Sequence, residues 1–276
     1  MLCETRGDLM GVTAGERCVL VPTMGALHPG HLRLIETARA TGGPVVVSVF
    51  VNAEQFNDAD DFNRYPRDLE ADVAAARAAG ADAVFAPATQ EVYPDGADAV
   101  DARLPGVASG KGLEDDGRPG HFLGVVRVLR RLFSLTACRA AVFGEKDWQQ
   151  LLIARAIAKG VEIVPHPIER DPDGLAMSSR NRHLSAQERE EALAIPAAVA
   201  AASDQGTVSE AESVMGSIIH DAGGRVDYAT VRHAVTLDVL PGDTQRQDTD
   251  RPPARILVAA DFGGVRLLDN APWPAA

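Results

Sequence analysis

The chain has 276 residues, of which 46% are hydrophobic and 24% charged, enough to bury the core of one large or two modest globular domains. Its net charge of -12 argues against nonspecific attraction to nucleic acid or to an anionic membrane. The cysteines are scattered and form no CxxC pair, which argues against a disulfide framework and a zinc site. Without a signal pattern or an apolar run of membrane-spanning length, we expect a soluble, cytoplasmic protein.

Short apolar runs alternate with segments of helical periodicity through the first part of the chain. This alternation predicts an α/β fold with a doubly wound parallel sheet of about five strands. The predicted strands are Cys18–Val21, Pro44–Val51, Asp82–Ala86, Ala140–Phe143 and Val161–Val164, and the predicted helices are His31–Ala40, Arg67–Ala79, His121–Leu135 and Asp147–Lys159.

The pattern changes after Glu169. A turn-rich connection leads to a capping-box signature at Ser185, which opens an Ala-rich helix, and later segments read as one helix and three strands. We therefore predict a first domain over residues 1–168 and a smaller α+β domain over residues 169–276. The later elements are the helix Ser209–His220 and the strands Val226–Val231, Ile256–Ala260 and Val265–Leu268.

The stretch PTMGALHPGH leaves the first of these predicted strands and leads into a helix. Ligands of open α/β sheets bind at the carboxyl ends of the strands, and the start of a helix favours an anion such as phosphate. Gly25 and Gly30 allow close backbone approach, and His28 and His31 add donors. From these residues alone, a phosphate site, a glycine-rich turn with exposed histidines and a metal-binding histidine pair all remain open.

Three further polar clusters follow predicted strand ends: FVNAEQF, FGEKDWQQ and DGLAMSSRN. Lys146 precedes a helix start, where its charge opposes the helix dipole unless it neutralises a bound phosphate. Ser178, Ser179 and Arg180 offer hydroxyl and guanidinium donors suited to phosphate oxygens, although the same residues suit an ordinary polar turn. Four clusters at one sheet edge favour a ligand site more than any one of them does.

Together these residues resemble the pantothenate synthetase (pantoate–β-alanine ligase) family of the HxGH nucleotidyltransferase-like group. The resemblance covers almost the whole chain and is carried by VLVPTMGALHPGH, FVNAEQF, RYPRDL, VFAP, YPDG, GRPGHF, FGEKDWQQ, DGLAMSSRN and RLLDN. It implies a Rossmann-like first domain that binds ATP and pantoate, and a C-terminal domain that closes over the ATP site. The implied reaction condenses (R)-pantoate with β-alanine through a pantoyl-adenylate, giving pantothenate, AMP and pyrophosphate.

The resemblance also implies roles for individual residues. It makes His31, His28 and Lys146 the catalytic group, with Mg²⁺ arriving on ATP and no protein ligands of the metal identified. Gln55 and Gln150 bind pantoate or β-alanine, Arg118 lies in a loop over the site, and a homodimer is expected. The implied ATP-binding residues are Met24, Gly25, His28, His31, Gly144, Glu145, Lys146, Asp147, Met177, Ser178, Ser179 and Arg180.

The chain departs from the family pattern at a few positions. Ala53 replaces a usual proline, and Glu54 replaces an apolar residue, which puts the rigidity of the Gln55 loop in doubt and adds a negative charge near an anionic substrate. Glu169, Arg127 and Arg131 are further departures. We predict an active enzyme and expect these departures to bear on pantoate affinity.

Two alternatives stay open. Another nucleotidyltransferase of the group would release pyrophosphate without needing an amine. A non-catalytic nucleotide-binding protein would bind ATP and form no pantothenate.

Overall fold

The computed structural model describes residues 1–57 and 59–274, and the chain divides into two compact units. Unit 1 comprises Met1–Glu145 and Gln149–Pro167, and unit 2 comprises Lys146–Trp148 and the chain from Ile168 onward. The short segment Lys146–Trp148 therefore groups with the C-terminal part of the chain, although it lies far from that part in sequence.

Unit 1 is built on a six-stranded sheet with the order β1-β4-β3-β2-β5-β6, in which every neighbouring pair is parallel. Its central strands are buried and apolar because helices flank the sheet. The predicted α/β fold with a parallel sheet is confirmed. The strands are β1 (Leu2–Cys3), β2 (Val19–Thr23), β3 (Val45–Val49), β4 (Ala83–Phe85), β5 (Ala140–Gly144) and β6 (Glu162–His166).

The helices of this part of the chain fall between those strands. α2 begins with Pro29 at its first position, where a missing N–H costs nothing, and His28 is its N-terminal cap residue. The helices are α1 (Arg6–Thr13), α2 (Pro29–Thr41), α3 (Ala59–Arg64), α4 (Leu69–Ala78), α5 (Thr89–Val92), α6 (Glu114–Gly117), α7 (His121–Thr136) and α8 (Trp148–Ile157).

The observed strand ends of this sheet lie within two residues of the predicted ones, and one strand is not predicted by the sequence. The sheet has a sixth strand, β1, which pairs with β4 but contains only Leu2 and Cys3, too few residues to show a period. The last strand continues past the predicted end to His166, through Pro165. Proline is tolerated there because β6 is an edge strand, where one missing N–H disturbs no second neighbour.

Unit 2 packs three helices against an antiparallel sheet with the order β7-β8-β9. The predicted capping box at Ser185 is confirmed, and the core contains Met215, Ile219, Phe262 and Trp273. The predicted small α+β architecture is therefore present. Its elements are α9 (Ala186–Ala192), α10 (Ala194–Ser203), α11 (Val208–Asp221), β7 (Arg225–His233), β8 (Ala254–Phe262) and β9 (Val265–Trp273).

The prediction that the last strand ends at Leu268 is wrong. β9 continues to Trp273 and includes two adjacent polar residues, Asp269 and Asn270, both nearly fully buried. In a sequence, two adjacent polar residues are typical of a strand end. In this structure both side chains are buried within the strand because each has hydrogen-bond partners. Across the described residues, no helix is long and apolar enough to cross a membrane.

Candidate active site

The sheet of unit 1 has a topological switch point between β2 and β5. From β2 the chain adds β3 and β4 on one side, and then returns to add β5 and β6 on the other. The crevice at the carboxyl ends of two such strands is the usual ligand position in doubly wound folds. β2 leads into Met24–His28, and β5 ends at Gly144, so both predicted nucleotide-binding stretches of unit 1 leave the sheet at this point.

The loop after β2 is shaped by a buried carboxylate. Asp72 of α4 is 4% exposed and accepts hydrogen bonds from the backbone N–H groups of Ala26 and Leu27, at 3.0 and 2.8 Å. Gly25 has φ +84°, and a Cβ at this position would lie 2.6 Å from Asp72 Oδ2. Glycine is therefore required both by the backbone conformation and by the close carboxylate.

The two histidines of the loop stack at the start of α2. Their ring centroids are 4.0 Å apart, and His31 Nδ1 accepts a 3.3 Å hydrogen bond from the backbone N–H of His28. Because Nδ1 is an acceptor, the neutral His31 ring carries its proton on Nε2. The arrangement gives a ring donor at a helix N-terminus, where backbone N–H groups also favour an anion.

Gln55 lies beside this loop. It ends a short 3₁₀ turn, Ala53–Gln55, is 9% exposed, and donates from Nε2 to the Met24 sulfur at 2.9 Å. The structure thus brings together two residues that the sequence assigned to different substrates. Met24 belongs to the predicted ATP loop, and Gln55 to the predicted pantoate site.

Buried polar groups hold the Gln55 amide in place. Asn52 Nδ2 donates to Gln55 Oε1 at 3.2 Å and to the Gly124 carbonyl at 3.1 Å, while Tyr93 donates its hydroxyl to Asn52 Oδ1 at 3.1 Å. Burial raises the pKa of the Tyr93 hydroxyl, which keeps it protonated as a donor. With Oε1 already accepting, the amide of Gln55 has a fixed orientation.

Ala53 and Glu54 are the two departures from the family pattern in the turn that carries Gln55, and the Glu54 carboxylate forms an ion pair with Arg127. Arg127 of α7 contacts the Glu54 carboxylate at 2.8 Å and also bonds to Asp98, and its own side chain is only 12% exposed. The negative charge next to Gln55, the predicted pantoate-binding residue, is therefore countered by Arg127, another of the positions that depart from the family pattern. The backbone of Glu54 also lies against Gly124, where a Cβ would be 2.2 Å from the Glu54 carbonyl oxygen.

The segment after β5 carries further predicted residues of unit 1. Gly144 ends the strand, Glu145 begins a 3₁₀ turn, and Gln150 is half-buried in α8. The preceding Gln149 is 5% exposed and is bonded to the backbone of Val107 and Glu114. Of the two adjacent glutamines, Gln149 is thus held by the protein itself.

In unit 2, Lys146 and Asp147 precede α8. Lys146 Nζ lies 3.6 Å from the Asp147 carboxylate, and its side chain is 19% exposed. The backbone carbonyl of Lys146 accepts a 2.9 Å hydrogen bond from the Asn270 amide. The ion pair offsets only part of the cost of a cation at a helix start.

The remaining predicted residues of unit 2 follow a short hairpin. Met177 N–H bonds to the Glu169 carbonyl at 2.9 Å, and Ser178 caps the 3₁₀ helix Ser179–His183 by accepting from the Arg180 N–H at 3.3 Å. Met177, Ser178, Ser179 and Arg180 are all half-buried. Their side chains therefore reach solvent from a backbone that is fixed by its own hydrogen bonds.

Salt bridges hold this hairpin to α9. Arg189 contacts Asp171 and Asp173, each at 2.8 Å. Burial alone would raise the pKa of Asp173, but the hydrogen bonds from Arg189 and from the Leu175 N–H outweigh burial and lower it. Among residues 1–57 and 59–274, no group of three or more His, Cys, Asp and Glu side chains could hold a metal ion.

Sequence reasoning missed the residues that support the site. Asn52 and His121, whose Nδ1 lies 2.7 Å from the Gln55 carbonyl, stand inside stretches already noted, FVNAEQF and GRPGHF. Asp72 gave no signal, because an acidic residue in the first turn of a helix is typical of a solvent-facing position. Only the fold shows that it lies under the Gly25 loop.

Comparisons with known proteins agree over nearly the whole chain. A family model described as pantoate-beta-alanine ligase matches residues 4–272. A pantothenate synthetase of Thioalkalivibrio sulfidiphilus is 47% identical over 94% of this chain and 91% of its own length. Another, of Nocardioides sp., is 45% identical over 99% of this chain and 85% of its own length.

Solved structures give the same result. The crystal structure of pantothenate synthetase from Thermus thermophilus has a TM-score of 0.89 and 39% identity, covering 99% of each chain. The pantoate-beta-alanine ligase of Francisella tularensis, complexed with beta-gamma ATP and beta-alanine, has a TM-score of 0.79 and 29% identity, covering 99% of this chain and 97% of its own. This chain belongs to the pantoate–β-alanine ligase family.

Proposed function

We propose that the protein catalyses the ATP-dependent condensation of (R)-pantoate with β-alanine to pantothenate, AMP and pyrophosphate. The observation that carries the proposal is the contact between Met24, in the loop that follows β2, and Gln55, in the turn that follows the neighbouring strand β3. The first step requires a carboxylate beside the α-phosphate of ATP. A nucleotide loop that touches an oriented amide in unit 1 fits that requirement.

A carboxylate must be activated before an amine can displace an oxygen from it. In the proposed first step, a pantoate carboxylate oxygen attacks the α-phosphorus of ATP, and the bond to the departing pyrophosphate breaks. In the second, the β-alanine amine attacks the acyl carbon, the bond to the AMP oxygen breaks, and the amine loses its proton. Both steps develop negative charge on phosphate oxygens, which fixed donors stabilise.

The proposed roles of the residues follow from their chemistry. His31 donates from Nε2 to phosphate, and His28 and the N-terminus of α2 add donors beside it. Lys146, Ser178, Ser179 and Arg180 also bind phosphate oxygens of ATP. Gln55 binds pantoate with its remaining amide hydrogen, and Gln150 adds a second amide for pantoate or β-alanine.

The nucleotide contacts are completed by residues around these groups. Met24 and Gly25 belong to the ATP loop, Gly144, Glu145 and Asp147 line the nucleotide along the segment after β5, and Met177 contacts it from the hairpin. These assignments are supported by the place of Met24, Gly25 and Gly144 at the ends of β2 and β5.

We also propose that Mg²⁺ enters with ATP and is held chiefly by phosphate oxygens, which a hard cation prefers. The family resemblance supports a cytoplasmic homodimer. Chelation of Mg²⁺ should abolish turnover, and re-addition of Mg²⁺ should restore turnover. For the dimer, sedimentation should give twice the mass of one chain. Turnover that survives chelation would remove the metal from the proposal, and a monomer in sedimentation would remove the dimer.

The test of the function is AMP release from ATP and pantoate with and without β-alanine, together with detection of pantothenate by mass. We expect pantothenate and AMP in equal amounts and only when β-alanine is present. His31→Ala and Lys146→Ala should each lower turnover by about a hundredfold or more while leaving the fold intact. AMP release that does not depend on β-alanine would favour another nucleotidyltransferase. ATP binding without formation of any product would favour a non-catalytic protein.

A further inference from the structure

The RLLDN stretch near the C-terminus places two polar residues in the middle of β9, and neither is among the proposed ligand-binding residues. Asp269 is 2% exposed and Asn270 is 3% exposed. Burying an amide and a carboxylate costs free energy unless both are hydrogen-bonded. Their partners therefore show what these two residues do.

Asp269 holds the hairpin that precedes Met177–Arg180. Its carboxylate receives two hydrogen bonds from Arg170, at 2.7 and 2.9 Å, and Arg170 also donates to the Gly174 carbonyl at 3.0 Å. A bidentate arginine–carboxylate pair fixes both distance and orientation. Arg170 therefore connects β9 to both the first residue and the turn of the hairpin.

Asn270 holds the other segment, Lys146–Trp148. Its Nδ2 donates to the Lys146 carbonyl at 2.9 Å, and its Oδ1 accepts from Arg255 Nε at 2.7 Å. The Arg255 guanidinium in turn stacks on the Trp148 ring, 3.4 Å from its centroid. One asparagine therefore fixes the backbone of Lys146 directly and supports Trp148 through Arg255.

Adjacent residues of a strand point to opposite faces of the sheet, and the pairing of β8 with β9 runs without a register shift across this region. Asp269 lies opposite Val258, on the face of the unit 2 core, and Asn270 lies on the other face. The two segments of unit 2 that carry its predicted phosphate-binding residues are thus attached to the two faces of one strand.

We propose that Asp269 and Asn270 are positioning residues, which hold Lys146 and Met177–Arg180 in a fixed relation for the binding of one triphosphate. This inference rests on the proposed function of those residues. Stability alone does not require the pair, since apolar side chains of similar volume bury at least as well as polar ones. Small displacements of phosphate-binding groups, by contrast, reduce binding strongly.

The test is a double-mutant cycle on ATP affinity, measured by calorimetry on the full chain. Asn270→Asp removes the donor to the Lys146 carbonyl and keeps the acceptor for Arg255. We expect it to weaken ATP binding about tenfold, because the Lys146 segment would then lose conformational freedom when ATP binds. In the Lys146→Ala background, Asn270→Asp should weaken ATP binding by less than about twofold. The KM for β-alanine should not change.

Asp269→Asn provides a second arm if Asn270→Asp folds poorly. It should weaken ATP binding additively with Lys146→Ala but less than additively with Arg180→Ala, because it acts through the hairpin. The matched control is Asp227→Asn, which breaks the ion pairs of Asp227 with Arg225 and Arg266 in the same sheet and touches neither segment.

Full additivity of Asn270→Asp with Lys146→Ala, or an effect on ATP affinity no larger than that of Asp227→Asn, would overturn the inference. A wild-type protein that binds no ATP would overturn it as well. ATP affinity is measured without turnover, so the two proposals can fail separately. A protein that binds ATP but forms no pantothenate would contradict the proposed function, and the double-mutant cycle on ATP affinity would still decide this inference.

Discussion

At the scale of single residues, the candidate site contains side chains that shape its loops as well as those proposed to face a ligand. Asp72 is the main example, because it receives two backbone N–H groups of the loop that carries His28. Thr23 adds to this by accepting from the Gly25 N–H at 3.1 Å. The loop is therefore held in one shape by hydrogen bonds within the protein, and a fixed shape lowers the entropy lost when a ligand binds.

Gly25→Ala should both destabilise the protein and weaken ATP binding. The added Cβ would sit 2.6 Å from Asp72 Oδ2 and would force a non-glycine residue to φ +84°. We expect a loss of about 1–3 kcal/mol in the free energy of unfolding, measured by urea denaturation. ATP affinity, measured by calorimetry, should fall about tenfold.

Gly11→Ala is the matched control for that change. Gly11 lies in α1, and a Cβ there meets nothing within 4 Å. This substitution should stabilise the protein by about 0.5–1 kcal/mol through helix propensity and leave ATP affinity unchanged. Equal behaviour of the two variants would show that the Gly25 loop is not constrained as described.

The residues proposed to face the ligand stand in patterns that the sequence makes visible, whereas the residues that shape the loops do not. His28, His31, Gln55 and Lys146 stand in glycine-rich or polar stretches after apolar strands, a position typical of ligand sites in α/β folds. Asp72 has no such context, since its partners are backbone groups 45 residues or more away in sequence. Contacts of this kind become visible only when the fold is known.

At the scale of elements, the turn Ala53–Gln55 is held from α7. Arg127 pairs with Glu54, and the helix presents Gly124 where the turn approaches most closely. The sequence raised Glu54 as a concern, because a carboxylate beside Gln55 would repel an anionic substrate. In the structure, the Arg127 guanidinium pairs with the Glu54 carboxylate from about the second turn of α7.

Arg127→Met should raise the KM for pantoate about three- to tenfold with little change in kcat, because Glu54 would lose its partner near the substrate. The double variant Glu54→Gln, Arg127→Met should recover much of that loss. Steady-state kinetics at varied pantoate measures both. Arg130→Met, one turn further along α7 and paired with the exposed Asp101, is the control and should leave the KM unchanged.

The segment before α7 is anchored by Asp115. Burial alone would raise the pKa of this carboxyl, but hydrogen bonds from the Lys111 N–H, the Gln149 side chain and the Leu113 N–H lower it below 3.8. A lowered pKa means that the ionised form stabilises the fold. That stabilisation is complete above pH 3.8 and is lost as the pH falls through the lower folded-state pKa.

Asp115→Asn should therefore destabilise the protein at neutral pH by about 1 kcal/mol, from the loss of charge-assisted hydrogen bonds. The difference from wild type should shrink as the pH falls below 3.8, in urea denaturation at a series of pH values. Asp116→Asn, at an exposed position, should match wild type throughout. A difference that grows toward acid pH would contradict this account of Asp115.

Element boundaries show where sequence patterns stop being informative. The central strands were predicted because they are apolar on both faces. β1 was missed because it has two residues, and the end of β9 was misplaced because Asp269 and Asn270 resemble a loop. In both cases, tertiary pairing decides the strand, and the local pattern does not.

At the scale of the whole molecule, the fold brings stretches that are far apart in sequence to one edge of the unit 1 sheet. Parallel strands bring their carboxyl ends to one edge, so the loops after β2 and β5 meet at the switch point although more than a hundred residues separate them. This much followed from the alternation of strands and helices. The attachment of Lys146–Trp148 to unit 2 did not, because it depends on the buried partners of Asn270 and Trp148.

The central claim is that ATP activates the pantoate carboxylate by adenylation. Pantoate labelled with ¹⁸O in its carboxylate tests it most directly, by mass analysis of the AMP formed when β-alanine is added. The account predicts that each AMP carries one ¹⁸O, because the carboxylate oxygen that attacks the α-phosphorus leaves with AMP. Unlabelled AMP, or ¹⁸O in pyrophosphate, would contradict it.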